Sequence, residues 1–339
     1  MGGSARAGSP IKDDEDVVLF ATAAHREKDG WRVPLHAWIF EPEHGSLWRG
    51  GAVRGVRAAL DVDAAGPQRA RLEVVARWFL VDNERGKELE IEVGSGLEGG
   101  QVVTLPESAA DGHARGSLRL PSHEPGWITV RTWARDGRRF TGQVQLVPET
   151  GVTVVSDIDD TIKVTEVLRG NRRVVERTLL EPFEAVPGMA GAYEAWAADG
   201  AVFHYVSGSP WHLYPELTRW MAECRFPRGT LALRAFRPKD SSRWNLLESP
   251  RRHKLSAIGT LLRRYPGRRF VLVGDSGESD PEIYGELART FGAQVQAIAI
   301  RRLPGDAYGA ERVARAFAGV KARVIPFESP SELPALADL

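Results

Sequence analysis

The sequence predicts an α/β protein in which a β-rich region precedes a parallel sheet that is covered by helices. After residue 150, short and continuously apolar strands alternate with helical stretches, which is typical of a parallel sheet buried on both faces. Before residue 148, the strongest signals are strands that are separated by turn-like sequences. PETG at 148–151 marks the change. We therefore expect a disordered leader at 1–15, a β-rich domain at 16–148 and an α/β domain at 149–339.

The N-terminal half contains two predicted hairpins and a helical insertion. Two apolar runs flank the turn-like EKDG, and two others flank DGRR, which is the pattern of paired antiparallel strands. ELEIEV alternates polar and apolar residues, as a half-buried strand does. The predicted strands are 17–26, 31–40, 88–93, 116–120, 127–134 and 140–147, and the helical patterns are 46–60 and 67–83.

The carboxyl-terminal half contains four predicted strands with helices between them. Ligands of such folds bind beyond the carboxyl ends of the strands, so residues that follow each strand are the candidates for function. The predicted strands lie within 153–159, 202–209, 270–277 and 295–301, and the helical stretches within 188–200, 212–225, 254–265 and 281–291.

Composition places the chain among soluble globular proteins. Its 339 residues are 42% hydrophobic and 27% charged, and 45 Lys and Arg balance 45 Asp and Glu, so global charge favours neither nucleic acid nor an acidic tail. Cys224 is the single cysteine, which excludes an intrachain disulfide and favours a reducing compartment. No apolar run reaches the length of about 18 residues that indicates a transmembrane helix. The N-terminus lacks the apolar core of a signal peptide.

The first strand end with candidate functional residues is SDIDDT, in which three carboxylates lie within four positions. Ionising all of them together is costly unless a positive partner lies among them. One interpretation makes Asp157 a nucleophile and Asp159 a general acid and base around a divalent cation. The other is a turn or a helix cap, where aspartate is common. A calcium loop of the EF-hand type fits poorly, because with Asp157 as the first position the position that needs glycine holds Ile162.

Two further strand ends carry polar residues. In VSGSPW, Ser209 before Pro210 predicts a helix N-cap, and Ser207 would then lie at an anion-binding helix terminus. The alternative is simply a well-capped helix. In GDSGESDPEIY, Asp275 and Asp280 follow a strand on a glycine-containing loop. Mg²⁺ prefers oxygen ligands and takes one or two carboxylates, so the sequence predicts that a metal ion is the positive partner. The alternative here is a polar turn.

A basic stretch precedes the third strand end. Residues 211–270 contain 14 Lys and Arg against four Asp and Glu, a net charge of +10. Lys254 lies in this stretch at the start of an amphipathic helix, where its ammonium would offset the charge of a phosphorylated intermediate. A solvated lysine is the alternative. The local charge predicts an anionic substrate or surface.

The order of these motifs resembles the haloacid dehalogenase (HAD) superfamily of phosphotransferases. DxDxT, a strand-end serine, a lysine and GDxxxxD follow one another as they do in that superfamily. Over about residues 150 to 305, the sequence is similar to the catalytic domain of the actin-patch-type phosphatidate phosphatases. The segments that carry this similarity are SDIDDTIKVTEV, YVSGSPWHLYP and VLVGDSGESDPEIY. The resemblance implies a HAD-like Rossmannoid sheet with a small cap between 164 and 186.

The resemblance also implies roles for the first motif. Asp157 would attack phosphorus and form an aspartyl-phosphate. Asp159 would protonate the leaving alkoxide and then activate water, and its main-chain carbonyl would help to ligate Mg²⁺. Thr161 would shape the turn and favour phosphatase chemistry.

The other motifs complete the implied site. Ser207 and Lys254 would bind the transferring phosphoryl oxygens. Asp275 would complete the metal site with Asp157 and Asp159, and Asp280 would support it.

We therefore expect a Mg²⁺-dependent phosphatidate phosphatase that is cytoplasmic, with peripheral contact to an anionic membrane as an option and no nucleic-acid partner. One alternative is a HAD phosphatase that acts on a soluble or protein-borne phosphomonoester. Another is a non-catalytic scaffold that binds a membrane or a partner. An intact Asp159 argues against the scaffold, which would have no use for an acid and base.

Overall fold

The computed structural model describes residues 8–42, 66–94, 100–121, 123–235, 249–306 and 309–339. It confirms a mixed α/β protein with a β-rich N-terminal region and a parallel sheet after it. Two compact units are present. Unit 1 comprises the described residues of Met1–Ala52 and Arg77–Pro148, and unit 2 comprises those of Val53–Ala76 and Glu149–Leu339. In the described ranges, no helix is both long and apolar enough to cross a membrane.

Unit 1 is built on one sheet of nine strands. The order is β1-β3-β2-β9-β8-β5-β6, with β4 and β7 also paired to β3. β2 and β9 are parallel, and the other described pairings are antiparallel. The strands are β1 (Asp16–Leu19), β2 (Thr22–Glu27), β3 (Gly30–Glu41), β4 (Asp82–Asn83), β5 (Leu89–Val93), β6 (Gln101–Leu105), β7 (His113–Leu120), β8 (Gly126–Trp133) and β9 (Arg139–Leu146).

Turn chemistry and alternation explain the local structure of unit 1. Both predicted hairpins are present: β2 pairs with β3 about EKDG, and β8 pairs with β9 about DGRR. The first predicted strand is interrupted, so that β1 and β2 both pair with β3. On β5, Leu89, Ile91 and Val93 are buried while Glu90 is exposed, as the alternating sequence predicts.

Residues 8–15 differ from the predicted disordered leader. Ser9 forms an isolated bridge with Lys87. Ile11 is buried in the core of unit 1, and Glu15 is 0% exposed. Lys87 Nζ donates to Glu15 Oε1 at 2.5 Å, so that this buried carboxylate is paired. The rest of the predicted leader lies outside the described residues.

The helical insertion is reproduced in part. Helix α1 (Gly66–Ala76) covers the first part of the predicted 67–83 helix, and the other predicted helix at 46–60 lies outside the described residues. Helix α1 belongs to unit 2, where Arg71 Nη1 donates to the buried Glu216 Oε2 at 3.0 Å.

Unit 2 is a six-stranded parallel sheet with the order β12-β11-β10-β13-β14-β15. Its central strands are continuously apolar because both faces are buried. The strands are β10 (Val152–Ser156), β11 (Val202–Pro210), β12 (Gly229–Arg234), β13 (Arg269–Asp275), β14 (Val295–Arg301) and β15 (Arg323–Phe327). The remaining α-helices are α2 (Asn171–Val175), α3 (Met189–Ala198), α4 (Tyr214–Glu223), α5 (Pro250–Arg264), α6 (Asp280–Phe291) and α7 (Gly309–Ala316). Shorter helical turns are Val167–Arg169, Glu176–Leu180, Trp211–Leu213, Gly292–Gln294, Pro330–Glu332 and Leu336–Asp338.

The strand order brings together the ends of β10, β11 and β13, which carry the candidate functional residues. Strand β10 lies between β11 and β13, with Val155 level with His204 on one side and with Leu272 on the other. All three strands are parallel, so the residues that follow them leave the same edge of the sheet.

Candidate active site

Asp157 lies at the end of the central strand, fully inside the protein. Its main-chain N–H donates to Val273 O of the neighbouring strand at 2.8 Å, which continues the ladder to the start of the loop. The side chain is 1% exposed. Thr161 Oγ1 donates to Asp157 Oδ2 at 3.2 Å, so the threonine of the motif restrains one oxygen of the first aspartate.

Lys254 projects from helix α5 into the same site and is 1% exposed. Its Nζ lies 2.7 Å from Asp157 Oδ1 and 2.6 Å from Asp280 Oδ1. A third carboxylate oxygen, Glu278 Oε2, lies at 2.9 Å. Burial alone would lower the pKa of this lysine, but these carboxylates raise it well above its usual value. The ammonium is therefore held in its charged form beside Asp157.

Asp157, Asp275 and Glu278 form the acidic cluster of the site. One oxygen from each lies within 4.8 Å of the others. Burial, together with the neighbouring carboxylates, raises the pKa of all three side chains. Asp275 Oδ2 is buried and has no hydrogen-bond partner among the described residues. An all-oxygen cluster with excess negative charge and an unsatisfied buried oxygen fits a hard divalent cation such as Mg²⁺.

Glu278 was not among the residues predicted from the sequence. The loop that follows β13 turns back because the N–H groups of Gly277 and Glu278 both donate to Asp275 Oδ1, at 2.6 and 3.1 Å. This turn brings Glu278 next to Asp275. The signal in the sequence is the additional acid inside GDSGESD, on a loop with a glycine at its centre.

Asp280 pairs with Lys254, and its side chain is not part of the acidic cluster. It begins helix α6, and its Oδ2 accepts a weak hydrogen bond from Asp275 N at 3.4 Å. Gly274 makes room for it, since a Cβ at this position would lie 2.3 Å from Asp280 Oδ2. The predicted supporting role of Asp280 is compatible with this arrangement and stays a prediction.

The side chain of Asp159 contacts a cation and hydroxyl donors, whereas the members of the acidic cluster lie next to other carboxylates. Its Oδ1 lies 2.7 Å from Lys163 Nζ and accepts a hydrogen bond from Thr165 Oγ1 at 2.8 Å. Burial would raise its pKa, but Lys163 and these hydrogen bonds lower it below its usual value. The carboxylate is therefore ionised in this state. Because its side chain is engaged here, only its main-chain carbonyl is left for the predicted metal ligation.

Ser207 is fully buried and faces Asp159. Its hydroxyl donates to Asp159 Oδ2 at 2.9 Å, and Ser209 Oγ donates to the same oxygen at 3.0 Å. The helix N-cap predicted at Ser209 is wrong. Strand β11 continues to Pro210, and α4 begins at Tyr214 after a short 3₁₀ turn. The apolar strand and its pairing with β12 overrode the local capping signal.

The third aspartate of the motif is structural. Asp160 Oδ1 accepts from the N–H groups of Thr165 and Glu166, at 2.7 and 2.8 Å, and its Oδ2 accepts from Val167 N at 2.6 Å. Its φ of 55° places it in the left-handed region, where aspartate is tolerated. The turn interpretation of the motif therefore holds for Asp160, while the other two aspartates face the site.

The basic stretch is partly neutralised by ion pairs. Arg251 pairs with Glu286, and Arg219 Nη2 lies 2.7 Å from Glu216 Oε2. Arg268 is buried and donates to Thr153 Oγ1 at 2.6 Å. Residues 236–248 of this stretch lie outside the described residues.

The fold and the site define an α/β protein with an acidic cluster and a paired, buried lysine at the carboxyl edge of a parallel sheet. Residues 152–302 match the family described as "Phosphatidate phosphatase APP1, catalytic domain". This match confirms the resemblance to phosphatidate phosphatases that the motifs indicated.

Two curated proteins are similar to part of the chain. An uncharacterized protein of Schizosaccharomyces pombe is 33% identical over 175 residues, which are 51% of this chain and 28% of that protein. Phosphatidate phosphatase APP1 of Saccharomyces cerevisiae is 32% identical over 154 residues, 44% of this chain and 26% of that protein. The chain thus spans about a quarter of the length of these relatives.

Among solved structures, an uncharacterized protein from Listeria monocytogenes serotype 4b matches 54% of this chain and 95% of its own, at 13% identity and a TM-score of 0.36. A likeness of this size carries no argument about fold or function.

Proposed function

We propose that the chain is a Mg²⁺-dependent phosphatase of the HAD type that hydrolyses phosphatidate to diacylglycerol and phosphate. The observation that carries the proposal is the contact of Asp157 with Lys254 beside Asp275 and Glu278, within a segment of the phosphatidate phosphatase catalytic-domain family. Phosphoryl transfer depends mainly on positioning and on neutralising charge, and these residues supply a nucleophile, a fixed ammonium and a cation site.

Asp157 would attack phosphorus through a side-chain oxygen, and the leaving alkoxide would depart as an aspartyl-phosphate forms. This divides one difficult displacement into two easier ones. Thr161 holds Asp157 Oδ2, and Lys254 lies against Oδ1, so the carboxylate cannot turn freely. Lys254 would also offset negative charge on the transferring phosphoryl group.

The acidic cluster would hold the metal ion through Asp157, Asp275 and Glu278, with the main-chain carbonyl of Asp159 as the further ligand implied by the HAD resemblance. When bound, Mg²⁺ neutralises the phosphoryl oxygens. Its charge would also stabilise the ionised forms of these three carboxylates, whose pKa values are raised by burial and by the neighbouring carboxylates.

Asp159, which is ionised in this structure, would take up a proton from solvent before the first step and give it to the leaving alkoxide, and it would take a proton from the attacking water in the second step. Ser207 would bind a phosphoryl oxygen. Its hydroxyl is engaged with Asp159 in this structure, so it has to turn from Asp159 to the phosphate when substrate binds.

The lipid substrate is supported by the family of residues 152–302 and by the named activity of the Saccharomyces cerevisiae relative. The segment 164–186 folds as short helical turns, and we propose that it is a small cap that leaves room for a bulky substrate. The exposed Arg252 in the first turn of α5 is proposed to contact an anionic membrane surface.

The test is phosphate release from phosphatidate in mixed micelles and from soluble phosphomonoesters, with and without Mg²⁺. Asp157→Asn removes the nucleophile while keeping its shape, and the exposed Asp199→Asn is the matched control. Release from phosphatidate that requires both Mg²⁺ and Asp157 supports the proposal. Release from soluble esters alone replaces the lipid substrate with a soluble or protein-borne phosphomonoester. Binding of vesicles without any turnover favours the scaffold.

Membrane contact is tested separately by sedimentation with vesicles that contain phosphatidate or another anionic lipid. Arg252→Glu should weaken binding and reduce its dependence on salt, because a surface cation is replaced by an anion. Arg263→Glu, in the last turn of α5, tests whether the loss of vesicle binding is specific to the first turn of the helix. Unchanged binding by both variants would count against this surface.

A further inference from the structure

The side chain of Asp159 is saturated with hydrogen-bond donors and cations. Lys163 Nζ and Thr165 Oγ1 engage Oδ1 at 2.7 and 2.8 Å. Ser207 and Ser209 donate to Oδ2 at 2.9 and 3.0 Å. An ionised carboxylate has about four positions for donors, so all of them are in use. A substrate or a water molecule can therefore reach this carboxylate only if one of the four groups leaves.

The two oxygens differ in how firmly they are held. The Oδ1 side is closed: Lys163 is 1% exposed, Thr165 is 0% exposed, and Lys163 Nζ also donates to Thr165 Oγ1 at 2.7 Å. The ring of Phe183 covers the ammonium, with its centroid 5.3 Å from Nζ. A buried ammonium without its carboxylate partner is very costly, so Lys163 cannot easily release Asp159.

The main chain also fixes Lys163 next to Asp159. Lys163 N donates to Ile158 O at 2.9 Å, and Asp160 N donates to Lys163 O at 2.7 Å. These bonds close a tight loop around the motif. In contrast, the serines that hold Oδ2 come from another strand, β11, and Ser209 is partly exposed. Their hydroxyls can rotate without unpairing a buried charge.

We propose that Lys163, assisted by Thr165, anchors Oδ1 of Asp159 and so leaves Oδ2 as the oxygen that handles the proton. Lys163 is then a positioning residue, separate from Lys254, which contacts Asp157. Asp159 is ionised in this structure, so Oδ2 first takes up a proton from solvent when the serine hydroxyls turn away from it. In the first step Oδ2 gives this proton to the alkoxide oxygen as the bond from phosphorus to that oxygen breaks. In the second step Oδ2 takes a proton from the water that attacks the aspartyl-phosphate. This inference rests on the proposed function, in which Asp159 is the acid and base.

The experiment compares an alkyl phosphomonoester, whose leaving group needs a proton, with p-nitrophenyl phosphate, whose leaving group does not. The alkyl ester is phosphatidate in mixed micelles, or a soluble alkyl phosphate if the wild type hydrolyses only that. Lys163→Met should lower kcat/KM for the alkyl ester by about 100-fold, within the range for loss of general acid catalysis. For p-nitrophenyl phosphate the loss should stay below about 5-fold, since the misplaced acid is not needed there. The exposed Lys321→Met is the control.

A double-variant cycle with Asp159→Asn provides a second, independent result. If Lys163 acts through Asp159, then Lys163→Met should add no further loss of kcat/KM to Asp159→Asn, because both variants remove the same function. If Lys163→Met does not fold, Thr165→Val removes the other donor to Oδ1 and should show the same preference for the alkyl ester, with a loss of about 10-fold.

The outcomes separate the two proposals. Equal losses on both esters, or losses that multiply in the double variant, would overturn the positioning role while leaving the phosphatase proposal intact. A wild-type protein that hydrolyses neither ester would overturn the phosphatase proposal, and the positioning role would fall with it.

Discussion

Asp275→Asn removes one negative charge from the acidic cluster and keeps the shape of the side chain. The Asn Oδ1 can still accept from Gly277 N and Glu278 N, as Asp275 Oδ1 does. The other oxygen lacks a hydrogen-bond partner among the described residues. In Asn an NH₂ group takes its place, and this group can donate to the carboxylate of Asp157 or Glu278. We therefore expect the metal-free variant to be more stable than the wild type, although it loses its metal ion.

The size of the effect follows from the geometry. The three cluster oxygens lie within 4.8 Å of one another, and at an effective dielectric of about 20 two unit charges at this distance repel by about 3.5 kcal/mol. The variant removes two such repulsions, that of Asp275 with Asp157 and that of Asp275 with Glu278. The wild type already avoids part of this repulsion, because burial and the neighbouring carboxylates raise the pKa of Asp275 well above its usual value and favour its protonation. Attraction to Lys254 is also lost. The expected net gain in the free energy of unfolding is about 1–3 kcal/mol.

Thermal unfolding in EDTA and in increasing Mg²⁺ measures this prediction. In EDTA the midpoint of Asp275→Asn should lie above that of the wild type, by about 2–4 °C for each kcal/mol. Mg²⁺ should raise the wild-type midpoint, because it binds the folded state, and should leave the variant unchanged. The exposed Asp199→Asn should behave as the wild type. A less stable variant in EDTA, or an unchanged response to Mg²⁺, would refute the reasoning.

The same prediction has a pH dependence of known sign. A carboxyl group whose pKa is raised on folding stabilises the folded state at low pH, and this stability is lost as the pH rises through the raised pKa. The wild type in EDTA should therefore approach Asp275→Asn in stability as the pH is lowered from 8 to 5. A difference that stays constant over this range would show that charge repulsion is not the cause.

Three further substitutions follow from the structure. Lys87→Met should lower the free energy of unfolding of unit 1 by about 3 kcal/mol, measured by urea unfolding, because it leaves the carboxylate of Glu15 buried without its closest partner. Burial lowers the pKa of His113 to about 4 and that of His36 well below its usual value, so unit 1 should lose up to about 3 kcal/mol as the pH falls from 6.5 to 4, and His113→Gln should flatten this loss. Gly274→Ala should lower the thermal midpoint and phosphate release together, because its Cβ meets the carboxylate that begins α6.

Each of these has a matched control. Lys28→Met and His123→Gln change exposed side chains of the same type, and Gly191→Ala adds a Cβ where nothing lies within 4 Å. Unit 1 stability that is equal in Lys87→Met and Lys28→Met would contradict the buried pair. A pH profile that is the same in His113→Gln and His123→Gln would contradict the assignment to His113. A fully active Gly274→Ala would mean that Asp280 can move without consequence.

Residues with strong local signals were predicted well. Asp157 follows β10, Asp275 ends β13, Ser207 lies in the last part of β11 and Lys254 lies near the start of α5, so the parallel sheet brings them to one edge. The hairpins about EKDG and DGRR were also visible, because turn chemistry acts between neighbouring residues.

Residues whose position depends on distant pairing were not predicted. The edge strands β12 and β15 are short and partly exposed, and the sequence showed no strong pattern there. The pairing of β7 with β3, and of β2 with β9, joins segments that lie far apart in the chain. Glu15 was placed in a disordered leader from the local composition, whereas its partner, Lys87, is distant in sequence.

The sequence by itself determined which residues stand at the ends of buried strands, since apolar runs and turn signals are local properties of the chain. Tertiary structure alone decided what each acid of the site contacts. Asp157 faces Lys254, Asp159 faces Lys163, and Asp160 binds main-chain N–H groups of its own loop. The physical reason is that the direction of a side chain depends on loop dihedral angles and on which element packs opposite. Three neighbouring aspartates therefore acquire three different electrostatic environments.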